Sequence, residues 1–554
     1  MDRIWHNSYD PDVPFTQKYP ETCLPFVLEQ NAKSLTSNTA TEFFGAKLTY
    51  GQLWEHVLRL ANGLRQVGVD EGVHVAIMLP NIPPCVIAFY AVLLLGATAV
   101  MTNPLYVERE LIHQWNDSDA EVLITLDHLY PKVEEVLPRT RIRTTIVASI
   151  KDYLPFPLKY LYPVQARFKK LFTAVPHDGI HVFSFKKMID VNSPDPVASP
   201  AHPDGLALLQ YTGGTTGVPK GAMLTHRNIV SNVIQTARWL PDLDCGNERF
   251  LSVLPFFHVF GLTVGLNLAV YTGSASILLP RFDAGEVIKI IKKKRPTIFP
   301  GVPAIYITLM AHPKIDSFDL TSIRVCVTGA APMPVEVLRR FEEKTGGKIV
   351  EGYGLSEASP VTHANPIGGT RKPGSIGIAL PDTDCRIVDA ATGTVEMPAG
   401  GIGELIVRGP QVMKGYWKNE KESAEVLRDG WLYTGDLAAM DSSGYVFIMD
   451  RKKDMVISGG YNVYPREIEE VLYEHPGVQD AAAIGVPHPK FGEAIKAFVV
   501  PKHTGNLSRQ EILDWCKKKL APYKVPKEVE FRDSLPKTIV GKVVRRELRS
   551  GTED

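Results

Sequence analysis

The chain has 554 residues, of which 44% are hydrophobic and 22% are charged, and this composition excludes a protein that is mainly disordered. Its 61 basic residues balance its 61 acidic residues, so no overall positive charge is available to attract nucleic acid. The length exceeds what one hydrophobic core supports, and we therefore expect a large N-terminal part followed by a smaller domain.

The cysteines and the first residues indicate a cytoplasmic protein without structural zinc. The six cysteines are scattered singly, without the close pairs typical of zinc sites or disulfide frameworks. The N-terminus begins with Asp2 and Arg3 and has no apolar segment of the kind a secretory signal requires. Residues 85–101 are barely long enough to cross a membrane, and the flanking prolines favour a buried helix between two short strands.

In the first two-thirds of the chain, short β-branched segments alternate with helical patterns. Residues 74–79, 121–126 and 143–148 are the clearest of these strands, and the pattern predicts parallel α/β units. Between residues 384 and 409 the pattern changes to short alternating strands with glycine turns. This change predicts a small antiparallel barrel or sheet that closes the large domain.

The segment 153–172 combines aromatic and basic residues and contains no acidic residue. One interpretation is contact with a membrane surface. The alternative is an insertion whose aromatic side chains pack on the domain and whose lysines are solvated. Pro155, Pro157 and Pro163 favour this alternative, because they should break any long amphipathic helix.

A glycine- and threonine-rich segment follows a predicted strand at 206–209 and predicts a phosphate-binding loop. Glycines allow backbone amides to approach phosphate, hydroxyls add donors and a lysine adds charge. The loop is not a Walker A loop, because Pro219 replaces its second glycine and Gly221 replaces the magnesium-binding Ser or Thr. The candidate nucleotide-binding residues are Thr212, Gly213, Gly214, Thr215, Thr216, Gly217 and Lys220.

A charged run at 450–454, followed by Ser458, Gly459 and Gly460, predicts a domain boundary. Beyond it, Pro465 is expected to begin a helix that carries Glu467 in its first turn. The last hundred residues are typical of a compact α+β module.

The loop at 211–221 resembles the signature of the adenylate-forming superfamily, which includes acyl-CoA synthetases, luciferases and peptide-synthetase adenylation domains. Four further motifs follow in the same order: GAAP at 329–332, GYGLSE at 352–357, YTGD at 433–436 and LPKTIVGK at 535–542. The resemblance extends from about residue 26 to residue 549 and is strongest for bacterial long-chain fatty-acid–CoA ligases. It implies an α/β N-terminal domain at 1–450, with layered α/β subdomains and a small β-barrel. A hinge at 451–454 and a mobile α+β domain at 455–554 follow.

The resemblance also implies the roles of the motif residues in binding ATP. Tyr353 would stack on adenine, Ser356 would contact the α-phosphate, Thr212 and Glu357 would hold Mg²⁺, and Asp436 would accept hydrogen bonds from the ribose hydroxyls. The remaining expected nucleotide-site residues are Gly329, Ala330, Ala331, Glu351, Gly352, Gly354 and Arg451.

The same resemblance assigns Lys542, Glu357, Lys220 and His258 as catalytic. Attack on an anionic phosphoryl group requires preorganised cations, which gives Lys542 and Lys220 a physical role. His258 lies in an aromatic turn where an acyl chain could meet the reacting carboxylate, although a packed histidine would also fit this turn.

The remaining implied roles concern movement of the smaller domain. Lys453 would be the hinge, and Ser458, Gly459 and Gly460 would line the CoA tunnel. A rigid linker is the alternative.

The predicted function is an ATP-dependent long-chain fatty-acid–CoA ligase that uses ATP, Mg²⁺ and CoA and forms an acyl-adenylate. The alternatives are a medium-chain or aryl acyl-CoA synthetase, a carrier-dependent adenylation domain, a luciferase-like oxygenase, and a membrane-surface fatty-acid binder or transport partner. The sequence continues for only 12 residues after Lys542, which disfavours an attached carrier. We expect a cytoplasmic protein with peripheral contact to the inner membrane surface and no nucleic-acid partner. A homodimer is left open.

Overall fold

The computed structural model describes residues 3–168, 173–212, 218–240, 242–329, 331, 333–458, 461–489, 491–502, 507–538 and 541–550. The strands, in chain order, are β1 (Thr39–Phe43), β2 (Ala46–Thr49), β3 (His74–Met78), β4 (Thr98–Met101), β5 (Val122–Leu126), β6 (Thr144–Ala148), β7 (Val182–Ser184), β8 (Leu206–Thr212), β9 (Lys220–Thr225), β10 (Arg249–Ser252), β11 (Ala275–Leu278), β12 (Val325–Thr328), β13 (Lys348–Gly354), β14 (Val361–Ala364), β15 (Ile378–Ala379), β16 (Asp384–Val388), β17 (Ile402–Arg408), β18 (Leu427–Arg428), β19 (Trp431–Met440), β20 (Val446–Arg451), β21 (Val456–Ser458), β22 (Tyr461–Val463), β23 (Val478–His488), β24 (Gly492–Pro501) and β25 (Glu528–Phe531).

The α-helices, in chain order, are α1 (Leu24–Ser34), α2 (Tyr50–Gln66), α3 (Pro83–Leu94), α4 (Glu108–Asp117), α5 (Tyr130–Val136), α6 (Leu158–Phe168), α7 (Phe185–Val191), α8 (His226–Trp239), α9 (Leu268–Tyr271), α10 (Ala284–Lys294), α11 (Pro303–Met310), α12 (Val335–Thr345), α13 (Glu420–Val426), α14 (Pro465–Tyr473), α15 (Arg509–Lys519) and α16 (Arg545–Ser550).

The predicted parallel α/β units form a seven-stranded sheet with the order β7-β6-β5-β3-β4-β8-β9. Its strands are parallel except for β9, which runs antiparallel to β8. The uncharged helix predicted between two short strands is α3, which lies between β3 and β4 and is buried along its whole length. Burial on all sides explains why its apolar residues show no helical periodicity.

Two four-stranded sheets continue the large N-terminal part. Their orders are β10-β11-β1-β2 and β12-β13-β14-β15. Parallel bridges from Ile298 to Phe250 and Val325 connect them. Strands β12 and β13 pair in parallel, so their C-terminal ends lie side by side. This pairing brings together the GAAP motif at 329–332 and the GYGLSE motif at 352–357.

The predicted antiparallel segment is a five-stranded sheet. It has the order β16-β17-β19-β18, and β20 also pairs with β19. The hairpin of β19 and β20 matters for the site, because its cross-strand partners include Asp436 and Arg451. A fifth sheet, β22-β21-β24-β23 with β25, forms the C-terminal part together with α14, α15 and α16.

The hydrophobic cores divide along the chain. The main core draws its residues from Trp5 to Val446, whereas the cores of the C-terminal sheet draw theirs from Val456 to Leu548. Helix α14 begins at Pro465, as predicted, and has Glu467 in its first turn. The fold class is thus mixed α/β, with a large N-terminal domain and a smaller C-terminal domain.

The aromatic and basic segment contains a helix of eleven residues, α6. Pro163 lies inside this helix and does not end it, so the expected effect of this proline was wrong. An interior proline removes one backbone donor, a loss that water can offset on an exposed helix. Phe156 and Tyr160 are 83% and 71% exposed, whereas Tyr153 is largely buried. Across the described residues, the helices are too short or too polar to cross a membrane.

Candidate active site

The predicted phosphate loop connects β8 to β9, and the two ends of this hairpin are described. Thr212 at the end of β8 is the cross-strand partner of Lys220 at the start of β9. The loop residues Gly213, Gly214, Thr215, Thr216 and Gly217 lie outside the described residues. Antiparallel pairing thus fixes both ends of the loop.

The Lys220 side chain is only 9% exposed. Its ammonium forms an ion pair with Glu422 at the start of α13 and lies 5.6 Å from the centre of the Tyr416 ring. Burial is the main cause that lowers the pKa of Lys220, while the Glu357 carboxylate acts in the opposite direction. Lys220 therefore belongs to the same charged cluster as Glu357.

Tyr416 connects these two predicted site residues. Its hydroxyl donates a hydrogen bond to Glu357 Oε1 at 2.8 Å, and its ring faces the ammonium of Lys220. Glu357 lies in a short 3-10 helix that begins at Ser356, and its carbonyl accepts the Met413 N–H at 2.8 Å. Glu357 is consequently held at its backbone by Met413 and at its carboxylate by Tyr416.

Tyr353 lies near the end of β13 and reaches across to the β19–β20 hairpin. Its hydroxyl donates a hydrogen bond to Asp436 Oδ2, and its ring makes an edge contact with His363 at a centroid distance of 6.1 Å. Burial and the Asp436 carboxylate raise the pKa of Tyr353. The ring is therefore fixed in orientation, as a surface for a planar group would require.

The motif around Tyr353 depends on close backbone approach. A Cβ atom on Gly354 would lie 2.0 Å from the Pro360 carbonyl oxygen, so only glycine fits there. Gly329 follows β12, and a Cβ atom there would lie 3.1 Å from the Gly352 carbonyl oxygen. The expected small-residue wall is thus next to the Tyr353 strand.

The other members of that predicted wall are described only in part. Ala331 is described, whereas Ala330 lies outside the described residues. Glu351 is buried opposite Thr328 in the β12–β13 pairing, and its carboxylate accepts the Gly374 N–H at 3.3 Å. Burial raises the pKa of Glu351. Glu351 supports the end of the strand through this contact.

Asp436 and Arg451 face each other across β19 and β20. Arg451 Nε lies 2.5 Å from Asp436 Oδ1, and the Asp436 side chain is only 4% exposed. The Asp436 carboxylate is the largest cause that raises the pKa of Arg451. Gly435, which precedes Asp436, has φ +71°, a backbone conformation that favours glycine. Strand β19 therefore presents the Asp436 carboxylate as a buried hydrogen-bond acceptor beside Arg451.

The C-terminal lysine reaches this same place. Lys542 follows Gly541, whose added Cβ would lie 3.5 Å from the Ala304 side chain of α11, so the loop touches the N-terminal part. The Arg451 charge lowers the pKa of Lys542 to about 8, with loss of water around the ammonium contributing. Residue 542 is exposed to solvent, and the charges of Arg451, Asp436 and Lys453 act on its ammonium.

His258 lies in a turn that is tied to the phosphate hairpin. The Gln210 side chain of β8 donates a hydrogen bond to the Phe257 carbonyl at 3.1 Å. Burial lowers the pKa of His258 to about 4, so the imidazole is neutral near pH 7. A Cβ atom on Gly261 would lie 2.3 Å from the Pro255 carbonyl oxygen, so the turn is tight enough to require glycine there.

The predicted hinge and tunnel residues lie between β20 and β22 along the chain. Lys453 follows Arg451 in a turn, and burial is the main cause that lowers its pKa. Ser458 is buried at the end of β21 and pairs with Tyr461 of β22. Gly459 and Gly460 lie outside the described residues.

Three residues of this site were missed by sequence reasoning: Tyr416, Glu422 and Gln210. Tyr416 and Glu422 lie about two hundred residues beyond Lys220 in sequence, so no local pattern connects them to the phosphate loop. A partial signal exists for Gln210, because it is a polar residue within an otherwise apolar strand that leads into the loop.

The residues present fit a magnesium ion bound mainly by phosphates. Within the described ranges, no three His, Cys, Asp or Glu side chains are grouped as metal ligands. Mg²⁺ commonly takes one or two carboxylates and completes its octahedral shell with phosphate oxygens and water. The Glu357 carboxylate beside the phosphate hairpin meets that requirement.

Comparison with known proteins agrees with this geometry. The model of the AMP-binding enzyme family matches residues 28–417, and the model of the AMP-binding enzyme C-terminal domain matches residues 467–542. The chain is 48% identical over 546 residues to a long-chain-fatty-acid–CoA ligase of Bacillus subtilis, covering 98% of this chain and 97% of that protein.

Two further relatives support the same placement. A long-chain-fatty-acid–CoA ligase of Escherichia coli is 38% identical over 567 residues, covering 99% of this chain and 98% of that protein. The crystal structure of the anthranilate CoA ligase AuaEII in complex with anthranoyl-AMP superposes with a TM-score of 0.85 at 28% identity. That alignment covers 98% of both chains.

Proposed function

The chain belongs to the AMP-binding enzyme family, and from this premise we propose that it is an ATP-dependent long-chain fatty-acid–CoA ligase. A fatty carboxylate and ATP give an acyl-adenylate and diphosphate, and the CoA thiol then displaces AMP to give the acyl-CoA. The long-chain substrate class rests on the Bacillus subtilis relative, which is similar over nearly the full length.

The first half-reaction uses the cluster around Asp436. A carboxylate oxygen of the fatty acid attacks the α-phosphorus of ATP, and the bond to the bridging oxygen breaks as diphosphate leaves. Lys542 and Lys220 neutralise the negative charge that gathers on the phosphoryl oxygens. Thr212 and Glu357 would hold Mg²⁺, which when bound neutralises charge on the phosphates. The observation that carries this proposal is that the Lys542 loop approaches Ala304 of the N-terminal domain, where the charges of Arg451 and Asp436 act on the lysine.

The nucleotide is held by residues from four motifs. Asp436 accepts hydrogen bonds from the ribose hydroxyls, Arg451 pairs with that carboxylate, and Tyr353 stacks on adenine. Gly329, Ala330 and Ala331 flank the ring, and Ser356 contacts the α-phosphate. Glu351, Gly352 and Gly354 shape the strand, and the loop residues Gly213, Gly214, Thr215, Thr216 and Gly217 surround the phosphates.

The acyl chain extends from the His258 turn into the helical layer. The neutral imidazole of His258 adds no charge that would repel an apolar chain from the reaction centre. Behind it, Gly261–Asn267 form a seven-residue π-helix whose residues are all buried. Such departures from α-helical geometry are frequent at functional sites, where they make room for a ligand.

The second half-reaction requires the C-terminal domain to move. We assign residues 1–450 and 455–554 to the two domains and 451–454 to a hinge, with Lys453 absorbing the rotation. The division of the hydrophobic cores between Val446 and Val456 supports this assignment. Rotation withdraws Lys542 and brings Ser458, Gly459 and Gly460 to the path of the CoA thiol, which attacks the acyl carbon and releases AMP.

We place the enzyme in the cytoplasm, in peripheral contact with the inner membrane surface through α6. Phe156, Tyr160 and Leu161 project apolar area into solvent, and Lys159 lies among them. Such a surface suits an anionic lipid interface, the source of long-chain acids. The proposed catalytic residues all come from one chain, so the function does not depend on a homodimer.

The test is AMP release from purified enzyme with ATP and Mg²⁺, measured for carboxylates from acetate to oleate with and without CoA. Turnover with a maximum at long chains and dependence on CoA is expected. A maximum with aryl or medium-chain acids would replace the substrate class, and AMP formation with none of them would refute the ligase.

A further inference from the structure

A cavity of about 190 Å³ lies in the N-terminal domain among the β1–β2 hairpin, α2, α7 and the short 3-10 helix Ile150–Tyr153. Among the described residues, none that is proposed for the nucleotide site, the acyl site or the CoA tunnel lines it. Its apolar walls are formed by Leu48, Pro83, Leu154 and Ile189. The cavity is thus separate from the proposed reaction path.

Three polar groups on residues that line this cavity are left without partners. Thr41 Oγ1, His56 Nδ1 and the Tyr153 hydroxyl are buried and have no hydrogen-bond partner among the described residues. The His56 and Tyr153 rings meet edge to face at a centroid distance of 6.4 Å, so these two groups are neighbours. Buried polar groups are normally satisfied, and three unsatisfied groups around one cavity point to a bound polar head.

Two lysines and one carboxylate line the cavity. Lys47 and Lys186 both line it, and Lys151 and Lys159 lie near enough to act on Asp152. Lys186 pairs with Asp190, while Asp152 is partly buried and burial raises its pKa. Burial lowers the pKa of His56, so its ring is neutral near pH 7 and can offer one N–H.

The size of the cavity limits the ligand. An engineered cavity of about 150 Å³ accommodates benzene, with six heavy atoms. By that scale, a cavity of about 190 Å³ accommodates about eight heavy atoms. Hexanoate has this size, with an apolar chain that suits the walls and a carboxylate that can accept several hydrogen bonds at once.

We propose that this cavity is a second carboxylate-binding site, which holds a monocarboxylate of about six carbons. The carboxylate accepts hydrogen bonds from the Thr41 hydroxyl, the Tyr153 hydroxyl and the His56 ring, and the chain lies against Leu48, Pro83, Leu154 and Ile189. The site is independent of the ligase reaction, so either proposal can fail without the other.

The first experiment is a calorimetric titration of hexanoate into the full-length enzyme saturated with a non-reactive long-chain acyl-adenylate analogue. Binding of one equivalent is expected, and hexan-1-ol should bind at least about tenfold more weakly, because it lacks the charged acceptor. Equal affinity for the alcohol would overturn the carboxylate class. Absence of binding, or binding that occurs only without the analogue, would overturn the second site.

Variants then locate the ligand. Thr41→Val and Tyr153→Phe each remove one hydroxyl with little change of shape, and each should weaken hexanoate binding at least about tenfold. Tyr160→Phe, which removes an exposed hydroxyl from the neighbouring α6, is the matched control and should bind like wild type. Fatty-acid-dependent ATP–diphosphate exchange should be unchanged in all three variants, which confirms folding. Wild-type affinity in both cavity variants would show that hexanoate binds elsewhere.

Discussion

The carboxylate of Asp450 accepts a hydrogen bond from Arg545, with Asp450 Oδ1 lying 2.9 Å from Arg545 Nη1. Its other oxygen accepts the Arg466 N–H at 2.8 Å, in the first turn of α14. Asp450 precedes the proposed hinge, whereas Arg466 and Arg545 follow it. Rotation about Lys453 must therefore break both bonds, and Arg545 is only three residues from Lys542.

Asp450→Asn should therefore impair adenylation selectively. Arg545 also pairs with Glu469 and Asp454, both beyond the first hinge residue, so Asp450 is its partner in the N-terminal domain. Loss of the Asp450 charge weakens this connection, which helps to hold Lys542 in the adenylating position. We expect about a tenfold loss in fatty-acid-dependent ATP–diphosphate exchange, the typical effect of a hydrogen bond to a charged group. Thioester formation from supplied acyl-adenylate and CoA should be unchanged or faster. Asp514→Asn, on the exposed face of α15, is the control. Equal losses in both half-reactions would contradict the idea that the Asp450–Arg545 bond holds the adenylating position.

Asp436 should make the enzyme sensitive to the ribose hydroxyls. Wild-type kcat/KM should be at least about tenfold lower for 2′-deoxy-ATP than for ATP, because one buried acceptor loses its donor. Asp436→Ala should lower kcat/KM for ATP and abolish the difference between the two nucleotides. Steady-state kinetics with both nucleotides measure this coupling. Undiminished discrimination in the variant would mean that another residue contacts the 2′-hydroxyl.

The pKa of Lys542, about 8, gives adenylation an alkaline limb. The ammonium is charged below this pKa and becomes neutral above it, so kcat/KM for ATP should fall as pH rises through about 8. An ordinary lysine would keep its charge to about pH 10. Rates measured from pH 7 upward test this, since kcat/KM reports the free enzyme.

Two substitutions separate Lys542 from other groups that titrate in the same range. Lys542→Arg keeps its charge throughout and should lose the limb. Lys542→Ala should be about a hundredfold slower in adenylation, should lose the limb and should still consume supplied acyl-adenylate with CoA. A limb that survives in both variants would belong to another group.

Lys453→Pro should separate the two half-reactions. Proline fixes φ at about −65° and restricts the preceding residue, so the hinge can no longer adopt two conformations. No described hydrogen bond uses the Lys453 N–H, so the adenylating arrangement should survive. ATP–diphosphate exchange should stay near wild type while acyl-CoA formation is lost. Lys453→Ala, which leaves the backbone free, is the control, and normal acyl-CoA formation by the proline variant would refute the rotation.

Local patterns in the sequence were sufficient for much of the fold. The strand before the phosphate loop, the buried helix α3 and the start of α14 at Pro465 each follow from a short run of residues. The residues that those elements contact in the folded protein cannot be predicted from such local patterns. Lys220 contacts Glu422, and Asp450 contacts Arg545, across distances in the chain at which only the folded arrangement decides which charges meet.

The helix through Pro163 and the carboxylate cavity show the same limit. Proline lowers helical propensity locally, but tertiary context decides whether the helix continues. The cavity brings together Thr41, His56 and Tyr153, which have no motif in common and come from a strand, a helix and a 3-10 turn. Its polar atoms can be recognised as unsatisfied only once their surroundings are known.

The exposed surface formed by α6 and by Phe156 just before it should bind anionic vesicles. Phe156 and Leu161 are 83% and 58% exposed, and burying apolar side chains of this kind stabilises contact by about 1.5–3 kcal/mol each when burial is complete. Phe156→Ser combined with Leu161→Ser should therefore lower vesicle cosedimentation at least about tenfold. The wild-type interaction should weaken with salt, because nearby lysines contribute about 1 kcal/mol each at an anionic surface.

Val335→Ser combined with Val395→Ser is the matched control, since both valines are exposed apolar residues outside the basic segment. This variant should bind vesicles like wild type, and both double variants should keep full activity on detergent-solubilised acid. Equal loss of vesicle binding in the two double variants would indicate non-specific hydrophobic adsorption. Absence of binding by the wild-type protein would exclude the membrane contact. A defect of the α6 variant only with vesicle-borne acid would show that the contact serves substrate capture, because the proposed reaction takes place at other residues, Asp436 and Lys542.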